Sequence, residues 1–207
     1  MIKNNSKKQI LKAAMKIFVV NGYSDTKMDD IAFGAGLSKG AVYHHYKSKN
    51  ELFLSLIDYW EISFLPKFYS KDYKNISASN ILKELATEIA TNFKKKKYLF
   101  LAELELWALA NRDQKVRERT KKLYNKILNH LEDIFKNAIN DGEYKNIDPG
   151  MAAIAVMTSM QGVIWFSIFA CAVLRIHFIH IHSVVCEKGF QENPSEPYHT
   201  LRMDFVR

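Results

Sequence analysis

Lys39, Gly40, Tyr43 and His44 fall on one face of a short helix encoded by the stretch from Ser38 to about Tyr46. That face sets a cation, a phenol and an imidazole around a position with no side chain. Such a surface can approach a phosphate or the edge of a base closely. On the opposite face Leu37, Val42 and Tyr46 are placed to pack inward. A helix this short is marginal in water by itself, so its neighbours must hold it.

Those neighbours can be read locally. Thr26 followed by Asp29 has capping-box spacing, which predicts a helix from about Lys27, with Ile31 and Ala32 inward and Gly36 as its stop. Ser38 then caps the short helix. Ser6 with Gln9 predicts the start of a first helix, whose Ile10, Ala13, Ala14, Ile17 and Phe18 recur at helical spacing up to Gly22. Ser48 with Glu51 opens a fourth, carrying Leu52, Phe53, Leu56, Ile57 and Trp60 to about Phe64, before Pro66 ends it. The arrangement predicts a helix-turn-helix bracketed by two longer helices.

With these residues in place, positions 10–52 resemble the amino-terminal domain of the TetR family of bacterial transcriptional repressors. The match runs through Ala13-Ala14, Phe18, Gly22-Tyr23, Thr26, Ile31-Ala32, the run from Ala35 to Gly40, the run from Tyr43 to Tyr46, and Ser48-Lys49. The resemblance implies a homodimer on a palindromic operator in double-stranded DNA, released when a small-molecule effector binds the body. It also implies phosphate contacts from Thr26 and Lys27, backbone contacts from Tyr43, His45 and Lys49, and a place nearest the bases for Ser38, Lys39, Gly40 and His44. Two positions depart from the pattern: Gly34 stands where a better helix former is usual, and Asp29 replaces a residue that is often basic.

The bulk properties agree. The 207 residues are 48% apolar, enough for a sizeable core, and the formal charge is +8. Residues 1–50 hold 9 Lys against 3 Asp, so +6 of that charge sits with the proposed DNA-binding segment. Cys171 and Cys186 give no disulfide framework, and the opening MIKNNSKKQ has no apolar core for a secretory signal; both suit a cytoplasmic protein. The run from Lys94 to Lys97 reads as the solvated end of a helix. Gly34, Gly36 and Gly40 lack the strand and the Gly-Lys-Ser/Thr of a nucleotide-binding loop. His177, His180 and His182 with either cysteine match no standard zinc spacing, so neither a metal nor another cofactor is expected. Without paired carboxylates or a nucleophile elbow, no enzyme is expected either.

The body is predicted to be all-helical, giving an all-α chain: a three-helix DNA-binding head over residues 1–50, and a linker helix leading into a ligand-binding and dimerisation domain over 51–207. Helices are expected over about 79–94, 98–110 and 114–140, the last stopped by Gly142, with Asp148 and Pro149 opening another. Residues 151–174 carry no charge and are long enough to span a bilayer, so a membrane-anchored helical protein is the alternative. Thr158, Ser159, Gln161 and Ser167 within it, and the lack of a cationic flank before it, favour a core or dimer-interface helix with no membrane partner. Residues 176–207 alternate or turn without a helical stripe and form an atypical tail. Phe93, Phe100, Trp107, Met157, Met160, Gln161, Trp165 and Phe166 are the candidate pocket for a mainly apolar effector, Gln161 being a polar group that needs a partner.

Overall fold

The computed structural model describes residues 2–64, 68, 76–145 and 147–169. All of its regular elements are helices: α1 (Ile2–Asp25), α2 (Met28–Ala35), α3 (Lys39–His45), α4 (Lys49–Phe64), α5 (Ala78–Lys95), α6 (Lys97–Ala110), α7 (Gln114–Asn140) and α8 (Pro149–Phe169). The expected all-α class and the helix order are therefore those observed.

Local chemistry accounts for most boundaries. Gly36 takes φ 63° and closes α2, with the Leu37 amide bonded back to the Ala32 carbonyl. Ser77 and Asp113 cap α5 and α7 through their side-chain oxygens. The Asp148 carboxylate accepts from the Met151 amide at 2.7 Å and opens α8. Three predicted caps are corrected. Ser6 lies inside α1, which already runs from Ile2, and Gln9 instead donates to the Ala35 carbonyl at 2.6 Å, tying α1 to the end of α2. At α2 the acid that reaches back is Asp30, which accepts from the Lys27 amide at 2.8 Å. At α4 Ser48 does accept from the Glu51 amide, but the Glu51 carboxylate takes the Lys47 amide, one residue earlier than a capping box requires.

The core is continuous from head to body. Ile10, Ala14, Phe18, Ile31, Val42, Leu52 and Phe53 are almost wholly buried in the head, where the Phe18 and Phe53 rings meet edge to face at 5.3 Å. α4 carries this core into the body. Trp60 stacks on Phe64 at 4.5 Å, and its indole N–H donates to the Leu99 carbonyl at 2.6 Å. Asn92, buried, donates to the Phe64 carbonyl and so anchors the far end of α4 on α5. After α7 the chain turns at Gly142, φ 76°, and the Glu143 carboxylate accepts from the Ala78 and Ser79 amides at the start of α5.

Gly34 faces α1: a Cβ at this position would lie 2.7 Å from Ile17 Cδ1, the tip of a side chain that would have to turn aside. The apolar segment over 151–174 is a helix as far as Phe169, but only 28% of the 149–167 window is buried within the chain. Met151, Ile154 and Phe166 stand exposed on it. Its one buried side relies on α7, with Ala153, Val156, Val163 and Ile164 facing the interior. Residues 170–174 and the expected atypical tail over 176–207, with His177, His180, His182 and Cys186, lie outside the described residues, as does Cys171.

The Trp60 bond gives a direct check on the packing of α4 against α6. Trp60→Phe keeps an aromatic ring but leaves the buried Leu99 carbonyl without its donor, so it should cost about 1–3 kcal/mol in denaturant unfolding. An unchanged unfolding midpoint would show that the bond contributes nothing.

Candidate nucleic-acid interface

The short recognition helix is held from three sides. Ser38 accepts from the Ala41 amide at 3.2 Å and fixes the first turn of α3; Val42 and Tyr46 bury its inner face, and Leu37 packs half-buried beside them. What remains outside is the face expected from the sequence: Ser38, Lys39, Gly40, Tyr43 and His44 are all exposed, and Lys27 is exposed at the start of α2. His45 is half-buried, with its ring 5.4 Å from that of His44. A Cβ at Gly40 would meet nothing closer than Ser38 Oγ at 4.0 Å, so the fold itself does not require glycine there.

Asp29 finds its reason on this face. Its carboxylate accepts from Lys39 Nζ at 2.9 Å, joining α2 to α3, and holds the lysine pKa above its ordinary value. Both side chains are more than half exposed, so the pair contributes little stability. Its effect is orientation, since it places the ammonium 5.9 Å from the Tyr43 ring centre, on the outer face.

Two of the residues expected at the DNA backbone also bond within the head. Thr26 is 1% exposed, and its hydroxyl donates to the Gly22 carbonyl at 2.7 Å. Lys49 donates to the carbonyls of Tyr23, Ser24 and Thr26 at 2.6, 3.0 and 2.9 Å, and sits 4.5 Å from the Tyr23 ring centre. The physical reason is Gly22, whose φ of 76° breaks α1 and leaves the following carbonyls without helical partners. Lys49 satisfies them. In the free chain its ammonium clamps the corner between α1 and α2.

The candidate pocket residues separate into groups. Phe93 and Phe100 meet edge to face at 5.0 Å, and Phe100 packs against Phe64 as part of the core. Trp107 lies 5.1 Å from Trp165, bringing α6 and α8 together, with Met157 and Met160 packed half-buried against the core. Phe166, 67% exposed, faces out and belongs to neither. The partner that Gln161 requires is Glu103, to which it donates at 2.7 Å. Tyr124 donates to the same carboxylate oxygen and accepts from the Trp107 indole. Sequence reasoning missed Glu103, although the signal was there: it lies four residues after Leu99 and three before Leu106, a charge within the apolar stripe of α6.

A helix-turn-helix head with an open cationic face, set on a helical body, defines a DNA-binding transcriptional regulator. Residues 10–56 match the model of bacterial regulatory proteins of the tetR family. The chain is 25% identical over 163 residues to the HTH-type transcriptional regulator QacR of Staphylococcus aureus, covering 79% of this chain and 86% of that one. The uncharacterized HTH-type regulator YerO of Bacillus subtilis is 40% identical over 57 residues, only 28% of this chain and 20% of that one. Among solved structures, the transcriptional regulator FadR from Bacillus subtilis in complex with stearoyl-CoA shares the fold at TM-score 0.70 and 20% identity, over 87% of this chain and 95% of that one. The match to the tetR family model thus falls on the helix-turn-helix head, and the fold of the whole chain is one that solved transcriptional regulators share.

The two placements yield separable tests. Gly40→Ala meets no atom of the protein and favours helix, so stability should hold or rise by up to about 1 kcal/mol. DNA affinity should fall about tenfold if the backbone approaches the groove there. Affinity equal to wild type would remove Gly40 from the interface. Lys49→Met keeps the stem but orphans the carbonyls, and should lower stability by about 1–3 kcal/mol. Unchanged stability with a salt slope reduced by about one would return Lys49 to the phosphate contacts.

Proposed function

We propose that this regulator is a cytoplasmic, homodimeric repressor that holds a palindromic operator through two copies of α3 and releases it when a small molecule enters the body. The observation that carries the reading is the open face of α3, cationic and without a side chain at its centre. On it Lys39 is poised to donate to guanine O6 and N7, with Ser38, Gly40 and His44 beside the bases and Lys27, Tyr43 and His45 positioning the phosphate backbone.

The exposed side of α8, with Met151, Ile154 and Phe166, is a surface that a second copy would cover, and this supports the dimer. Coupling from body to head has a short route. α6 carries both Glu103, at the junction with α7 and α8, and Glu105, whose carboxylate accepts from the Tyr23 amide at 3.2 Å. α4 is tied to α7 by Asp58 with Arg119 and Glu61 with Lys126 at 2.6 Å. A ligand that favours a different setting of α6 moves the head by its differential affinity alone. The stearoyl-CoA held by FadR supports small-ligand binding in bodies of this fold.

Selection from randomised DNA should enrich two inverted half-sites about 34 Å apart, or a multiple of it. The affinity should fall steeply with salt. Lys39→Ala should relax the preference at one position per half-site, a loss of roughly 1–3 kcal/mol. A monomer by light scattering at micromolar concentration would overturn the dimer, and a chain that stays in solution only with detergent would favour the membrane-anchored alternative.

A further inference from the structure

Glu103 is 1% exposed, and its two oxygens are treated differently. Oε1 accepts from both Tyr124 and Gln161, while Oε2 is buried with no partner. Among the described residues no lysine, arginine or histidine bonds to this carboxyl, and burial pushes its pKa up. A carboxylate buried with an empty acceptor is costly; it is relieved by taking up a proton or by a donor, and a charged donor lets it stay ionised.

The surroundings narrow the choice of donor. Trp107 and Trp165 pack against each other at the same junction, and the Trp165 indole N–H is also buried without a partner. Trp107 remains 39% exposed, so the cluster reaches the surface along α6. Aromatic faces attract a cation, and they exclude a second anion from a site that already holds a carboxylate.

We propose that this cluster is the effector site and that its ligand is a protonated amine carried on an aromatic or other apolar body, its N–H donated to Glu103 Oε2. The proposal rests on the effector reading above and names the chemical class which that reading left open. The mainly apolar effector expected from the sequence thereby gains a cationic group. The apolar part of the ligand lies against Trp107 and Trp165, and the Trp165 N–H is available to an oxygen on the ligand. Tyr124 and Gln161 act as positioning residues, since they fix Oε1 and so aim Oε2.

The test uses the full chain and three probes that differ only in charge: 2-(2-naphthyl)ethylamine, 2-(2-naphthyl)ethanol and 3-(2-naphthyl)propanoate, titrated by calorimetry at pH 7. The amine should bind at least about tenfold more tightly than the alcohol, the factor that corresponds to one charged hydrogen bond, and the acid should bind most weakly. Glu103→Gln keeps an acceptor for Tyr124 and Gln161, and should abolish the preference for the amine. An amine no better than the alcohol, including no binding by any probe, overturns the proposal, as does a folded Glu103→Gln protein that keeps the amine preference. Should that variant fail to fold, the three-probe comparison on the wild-type chain decides. DNA release by a neutral or acidic compound, blocked by Trp107→Ala, would leave the effector reading standing while the amine proposal fell. Amine binding that depends on Glu103 but never releases DNA would do the reverse.

Discussion

The seven residues of α3 cannot form a stable helix alone, because nucleation consumes most of what so few hydrogen bonds return. Everything else in the head follows from that constraint. Ser38 closes its first turn, Gly36 sets its angle to α2, and Val42 and Tyr46 seat it on a core that also contains Phe18 of α1 and Phe53 of α4. The helix is therefore rigid only as part of the whole head. Its outer face is freed from any structural duty and can be left polar, basic and bare at Gly40.

The same economy shows at the corner between α1 and α2. Gly22 must break the helix so that the chain can turn, and the break leaves carbonyls that need donors. Lys49 reaches back from the start of α4 to supply them, so one ammonium joins α4 to the end of α1 and to the turn before α2. Resemblance to the family implies that a lysine at this place holds the DNA backbone. Only the three-dimensional path of the chain reveals that its charge is already engaged.

That contrast defines what was legible. Helix α7 was read to the residue, because its apolar stripe is long and both ends carry caps that act locally. The head was readable for the same reason, with short-range signals at Gly36 and Ser38. Caps were misassigned by a residue or two where two candidate acids lie close together, as at Asp29 and Asp30. Asp29, which departs from the family pattern, makes sense only across helices, since it pairs with Lys39 on α3. The pocket was the least legible part. Aromatic residues in a stripe do not say which partner they face, and Phe93 and Trp107 were grouped by type where the packing separates them.

Glu103 shows why a polar residue in an apolar stripe is more informative than the stripe itself. Packing alone would favour leucine there, for a buried carboxylate destabilises the fold unless every lone pair is used. Two of its bonds are supplied by Tyr124 and Gln161, both at the same oxygen, so the fold meets only part of the cost. The helix that bears this unfinished site also bears Glu105, bonded to the backbone of Tyr23 beside the corner that Lys49 clamps. Under the proposal above, filling the vacant acceptor and shifting α6 would act on a junction that helps to set where α2 and α3 point. On that proposal, the local cost at Glu103 and control of the head are two consequences of a single helix.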